Sequence, residues 1–148
     1  MNLSSFYNNL GIDAFAISTV LEKAEFLTFP RLMLILPIVA HRAMVRHLAN
    51  GKFRIISFEQ YFIEQTRYFY NFADRYHACL APTINALQLL NEIGSLDFRT
   101  DGAAIAAPMP ITAAMGSRAE RIHRASSNIA TLIAGSADVF YLNARIEL

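Results

Sequence analysis

Residues Phe29 to Leu48 read FPRLMLILPIVAHRAMVRHL, a run that is apolar on every side of a helical wheel until it turns basic. A surface helix carries one apolar stripe, so Leu32 to Ala40 has to be buried in a core, a membrane or a partner. Arg31 interrupts the run and His41 and Arg42 end it, well short of the roughly 20 apolar residues a membrane span needs. The stretch is therefore expected at the centre of the fold, with the rest of the chain covering it. Pro30 suits a first helical turn, where its missing amide proton costs nothing. Pro37 removes a bond one turn later, so the helix either kinks at Pro37 or starts there.

At 148 residues the chain is long enough for one domain with a real core. Its apolar fraction of 54% and charged fraction of 17% lie on opposite sides of the usual averages, roughly 45 to 50% and 25%. That excess of apolar surface is expected to be covered by other chains, since obligate interfaces resemble a domain core cut in half. The net charge of +1 steers the protein neither to nucleic acid nor to an anionic membrane, so any such role must be local. Cys79 is the single cysteine, which excludes an internal disulfide, and the chain shows no basic-then-apolar leader; a cytoplasmic location is expected. Cys79 itself reads as a small buried core residue.

Before the central stretch, residues 1–11 read as an N-terminal arm, with Asn8-Asn9 and Gly11 as turn residues. Ile12 begins a helix in which Phe15, Ile17, Val20, Leu21 and Ala24 recur at helical spacing, ending near Phe26. After it, Asn50-Gly51 stops the basic end of the run, and Ser57-Phe58-Glu59-Gln60 fits a capping box. The spacing then predicts one long helix with Phe58, Phe62, Phe69, Phe72 and Tyr76 on one face. Arg67 and Arg75 are matched there by Glu64 and Asp74, so the rings are expected in a core rather than under stacked bases. Pro82 opens a further helix that Gly94 closes.

The remainder changes character. Leu96-Asp97-Phe98-Arg99 alternates, Asp101-Gly102 signals a hairpin, and Ala103 to Ala107 is the expected return strand. Ser117-Arg118-Ala119-Glu120 reads as a second capping box, opening a helix through Ile133 that Gly135 closes. Phe140, Leu142, Ala144, Ile146 and Leu148 alternate with polar residues, which predicts a terminal strand able to pair with the hairpin; the alternative is that Ala137 to Ala144 is helical. The expected fold is one compact, mainly α domain of about five helices with a small C-terminal β element, winged-helix-like. Its helical core spans 12–94, and its hairpin, helix and terminal strand span 95–148.

No set of residues forms a catalytic constellation. His41 and His47 are six apart, where a helical zinc pair needs a step of four. Glu59 with Glu64, or Asp97 with Asp101, has no nucleophile or histidine beside it, and the six glycines are scattered at element ends. Neither a metal, a cofactor nor a small-molecule substrate is expected. The group that stands out is basic: Arg118, Arg121 and Arg124 recur at steps of three near the start of the penultimate helix, beside His123. Cations there oppose the helix macrodipole, so a compensating anion is expected, whether phosphate, a partner carboxylate, or Glu120 with solvent. Arg42, Arg46, Lys52 and Arg54 form a second, weaker patch whose plainer account is a solvated helix end. Phe29, Leu32, Leu36, Pro37, Ile38 and His41 are candidates for either core or partner interface.

Four groups of residues carry a family resemblance: Asn9-Leu10-Gly11, the block Leu36-Pro37-Ile38-Val39-Ala40-His41, Leu80-Ala81-Pro82-Thr83, and Arg118-Ala119 leading to Ala125 and Leu132. In these the chain resembles, over nearly its whole length, the middle components of three-component ABC ATPase systems, a family that includes the accessory subunit of Lamassu-type defence. The resemblance implies a non-catalytic scaffold beside a coiled-coil, SMC-like ATPase and an effector, often a nuclease, acting against phage or plasmids. ATP and the chemistry would then belong to the partners, and DNA would be met through the complex. Two other classes compete with it: a stand-alone winged-helix-like regulator that binds duplex DNA, against which the near-neutral charge argues, and a small enzyme.

Overall fold

The computed structural model describes residues 3–148, with side chains from Asn9 onward. Helix α1, Leu3–Ala24, runs through the middle of the molecule. From Ala14 to Leu21 every residue is buried, so this helix and not the Phe29–Leu48 stretch is the element the others surround. Hydropathy hides that role because Ser18 and Thr19 count as polar on a wheel. Both are satisfied inside: Ser18 Oγ accepts from the Met109 amide at 2.9 Å, and Thr19 Oγ1 bonds His123 Nδ1 at 2.9 Å. The expected N-terminal arm is helical from Leu3, since Gly11 only lowers helix propensity and does not break the helix; Met1 and Asn2 lie outside the described residues.

Glu25 takes a left-handed conformation, φ 68°, and turns the chain into strand β1, Phe26–Thr28. The central stretch follows as three short helices: α2 at Phe29–Leu32 with Pro30 in its first turn, α3 at Ile35–Val39 containing Pro37, and α4 at Arg42–Leu48. The chain resolves its proline problem by breaking rather than kinking. The break at Ala40–His41 is closed by His41, whose Nδ1 accepts from the Met44 amide at 3.1 Å and so caps α4.

The long helix expected from Phe58 is also broken. It becomes α5, Phe58–Glu64, a 3-10 turn at Thr66–Phe69, and α6, Phe72–Ala78, separated at Gln65 and at left-handed Asn71, φ 60°. Its capping serine is formed, Ser57 Oγ accepting from the Gln60 amide at 3.1 Å. The breaks fold the aromatic face into a cluster: Phe58, Phe69, Phe72 and Tyr76 are buried and Phe62 is half-buried, so these rings are core as expected. One guanidinium serves both disruptions. Arg75 donates to the carbonyls of Pro37 at 3.1 Å, Tyr70 at 3.0 Å and Tyr68 at 2.9 Å, acceptors that unbroken helices would have satisfied themselves.

Helix α7, Leu80–Glu92, starts two residues before Pro82 and ends at Gly94, φ 77°. The hairpin forms where expected, β2 at Leu96–Phe98 and β3 at Gly102–Ile105, antiparallel with Phe98 opposite Ala103. Its third strand is β1, in the order β1-β3-β2 with Leu27 opposite Ala103. Gly102 permits this pairing, because a Cβ there would collide with the Leu27 carbonyl oxygen and lie 2.8 Å from Thr28 Cα. Helix α8 covers Gly116–Ile133, but its expected capping box does not form: the helix starts two residues early and Ser117 lies inside it.

The expected terminal strand is helix α9, Ala137–Asn143. Phe140 and Ala144, both buried, are one helical turn apart, and Ser136 caps the helix by accepting from the Val139 amide at 3.4 Å. The ring of Phe140 stacks on Phe58 with centroids 4.5 Å apart, a contact that local alternation could not foresee. The described residues thus hold nine α-helices, eight of them five residues or longer, and two 3-10 turns, where about five helices were expected, around one continuous core.

Candidate functional site

Helices α4 and α8 pack side by side and bring the two basic patches of the sequence together. Arg42 and Arg46 of α4 face Arg118 and Arg121 of α8 across a cleft of about 310 Å³, which Ser117, Val39, Val45 and Ile122 complete. The aliphatic residues form a buried floor, while Arg42, Arg46 and Arg118 are exposed and Arg121 is half-buried. No carboxylate lines this cleft. Farther along the same two elements a second hollow of about 330 Å³ is lined by Asn50, Gly51, Arg54, Arg124, Ser127 and Asn128. Lys52 is exposed on the same loop.

The loop carrying Lys52 and Arg54 is held by a residue that sequence reasoning missed. Asn128 is buried; its Nδ2 donates to the carbonyls of Leu48 at 2.9 Å and Phe53 at 3.1 Å, and its Oδ1 accepts from the Ile55 amide at 3.1 Å. Its side chain therefore ties α8 to the end of α4 and to the following loop. The signal for it was a polar residue among Ile122, Ala125, Ile129 and Leu132 on the apolar face of α8. Arg54 is steered by the same loop, its Nη1 donating to the carbonyls of Gly51 at 3.2 Å and Phe53 at 2.8 Å.

The side chains of the central stretch have other roles. Leu32, Leu36, Pro37 and Ile38 are buried in this chain's own core, Phe29 is half-buried against Phe98, and His41 is occupied as a helix cap. His47 bonds the Tyr61 hydroxyl at 3.0 Å through Nδ1. Burial pushes the pKa of both histidines down, and nearby Arg75 for His41 and Arg67 for His47 add to it. Asp13 is pushed the other way, its carboxyl raised by burial and partly held down by Arg118. Burial also raises the half-buried Cys79 thiol to about 11, which leaves it protonated at neutral pH.

A different face mixes aromatic and polar side chains. Phe62, Thr66, Phe69, Tyr70, Asn143 and Arg145 are among the residues lining an open cleft of about 520 Å³ between the α5–α6 segment and the end of α9. Tyr70 is 68% exposed on it, and Ile63 and Leu142, next in sequence to lining residues, are 76% and 79% exposed. Among the described residues no group of three or more histidine, cysteine or acidic side chains is gathered as a metal site would need, and no helix is long and apolar enough to cross a membrane.

The described residues form a mainly helical domain built around α1, with a small antiparallel sheet, an arginine-rimmed groove and a separate open cleft. Its family is more specific. The family described as ABC-three component (ABC-3C) system Middle Component 3 matches residues 14–144, and the chain belongs to it. Its partners are accordingly other components of an ABC-3C system. No curated protein and no solved structure matches the chain.

Proposed function

We propose that this chain is a non-catalytic accessory subunit that docks on a coiled-coil, SMC-like ABC ATPase and helps hold a nuclease-type effector in check, in bacterial defence against phage or plasmids. The observation that carries the reading is the family match across residues 14–144, which covers the buried core from Ala14 to Ala144 and leaves out only Ile146. The surface supports it: Tyr70 is exposed on the open cleft, and Ile63 of α5 and Leu142 of α9 leave large apolar side chains in water on the elements that flank it. The partner-facing surface is then the α5–α6 and α9 side, since the central stretch is used up in the core. ATP and the cleavage chemistry belong to the partners in this assembly.

The test is the solution mass of the chain, by light scattering, alone and co-expressed with the ABC ATPase encoded beside it. A stable complex that Ile63→Asp with Leu142→Asp disrupts, while the variant alone melts normally, is the expected result. A wild-type chain that stays monomeric in the presence of the ATPase would overturn the reading.

A further inference from the structure

The α4–α8 groove gathers six of the thirteen basic residues: Arg42, Arg46, Arg118 and Arg121 at one hollow, Arg54 and Arg124 at the next. None of the twelve acidic residues lines either hollow. A chain of net charge +1 thus concentrates its positive charge on one edge, where like charges repel and raise the free energy of the fold. The placement is worse than neutral for α8, whose first turn carries no acidic residue and whose N-terminus makes no side-chain cap, so Arg118 adds its charge to the positive end of the macrodipole. An anion in the groove removes both penalties.

The shape of the groove selects among anions. Arg118, Arg121 and Arg124 advance by about 4.5 Å per step along α8, roughly 9 Å in all, so the charge forms a track and not a point. A single small anion would engage one hollow and leave the other empty. A protein partner would be anchored by aromatic or large apolar side chains in a desolvated pocket, but the exposed lining here is arginine, serine and asparagine, and the large exposed apolar residues lie elsewhere. An interface rich in positive charge and poor in apolar anchors is the pattern of nucleic-acid binding. Neither hollow is lined by an aromatic ring on which unpaired bases could stack, which favours a duplex over a single strand.

We infer that the α4–α8 groove binds the phosphodiester backbone of duplex DNA, independently of sequence, with Arg42, Arg46, Arg118 and Arg121 as the main contacts and Arg54 and Arg124 extending the track. This goes beyond the assembly reading and does not depend on it, because the binding is a property of the chain alone. Backbone phosphates accept two N–H bonds from one guanidinium, so the contacts give grip and orientation without reading bases.

The experiment is fluorescence anisotropy of the full chain with a labelled duplex of about 20 base pairs, a length that carries far more phosphates than the groove can engage. Affinity should fall with salt at a log–log slope of about −3.6 to −5.4, four to six phosphates at about 0.9 each. Arg42→Ala with Arg121→Ala should reduce that slope by about 2 and weaken binding at least about tenfold. The control, Lys23→Ala with Arg99→Ala, removes the same charge from exposed positions outside the groove and should leave binding within about twofold at the same ionic strength. Absence of binding at 50 mM salt, equal loss from both double variants, or a polyglutamate peptide or pyrophosphate that binds as tightly as the duplex would each overturn the inference.

Discussion

Helix α8 packs mainly against α1 and α4, and the two use it differently. Toward α1 it presents a closed, satisfied surface, where His123 bonds Thr19, and Ala119, Ala125, Ile129 and Leu132 of the helix are buried. Toward α4 the same helix leaves an open groove, apolar only at its floor and crowded with guanidinium groups at its rim. The first side is where folding free energy is gained by burying apolar area; the second holds like charges together against their repulsion. The difference teaches where to look for function: at the face whose arrangement does not serve stability.

The comparison is sharpest where the core is broken. Leu36 is 3% exposed in α3, and Leu36→Asp would bury an unpaired carboxylate, so no soluble folded protein is expected on expression. Normal yield and melting would mean that the α3 side is no more closed than the groove.

Asn128 lies between the two worlds, because it is buried in α8 yet holds the loop that forms the end of the groove. Asn128→Ala strips the Leu48 carbonyl and the Ile55 amide of their partner, leaves the Phe53 carbonyl to Arg54 alone, and should lower stability by about 2 to 3 kcal/mol in urea unfolding. A loss below about 0.5 kcal/mol would show that water replaces the side chain and that the loop is held by other contacts.

A smaller effect is expected from acid at the two ends of α4. The folded state lowers the pKa of His41 and of His47, so it prefers both rings neutral. The stability they contribute is complete above the unfolded value near 6.5 and is lost as pH falls below it. The melting temperature should accordingly drop between about pH 7.5 and 5. His41→Asn retains a capping side chain that does not titrate, so the drop should be shallower in the variant. Parallel pH profiles for the two proteins would remove His41 as a source of the acid sensitivity.

Much of this architecture was legible in the chain, for identifiable reasons. The burial of Leu32, Leu36 and Ile38 follows from hydropathy, the hairpin from Asp101-Gly102, the core role of Phe58, Phe69 and Phe72 from their spacing, and the cap of α5 from Ser57. Other elements were not legible. Residues Phe140 to Leu148 alternate like a strand, but Phe140 gains more by stacking on Phe58 from a helix, and that partner lies 82 positions away. The capping box at Ser117 failed because a 3-10 turn, Ala113–Met115, leads directly into α8 and draws the serine inside the helix. At the candidate site each arginine was visible individually, whereas their assembly into one groove and its buried clamp, Asn128, were not.

What the sequence determined by itself is therefore local: which segments must leave water, where turns and breaks fall, and which residues carry charge. These depend on hydropathy, propensity and backbone sterics within a few residues of one another. The tertiary structure alone decided that β1 would complete the hairpin's sheet, that α1 would be the central element, and that arginines some seventy positions apart would share a groove. Such choices rest on the free energy of surfaces that meet only when the whole chain is packed, and no local pattern contains it.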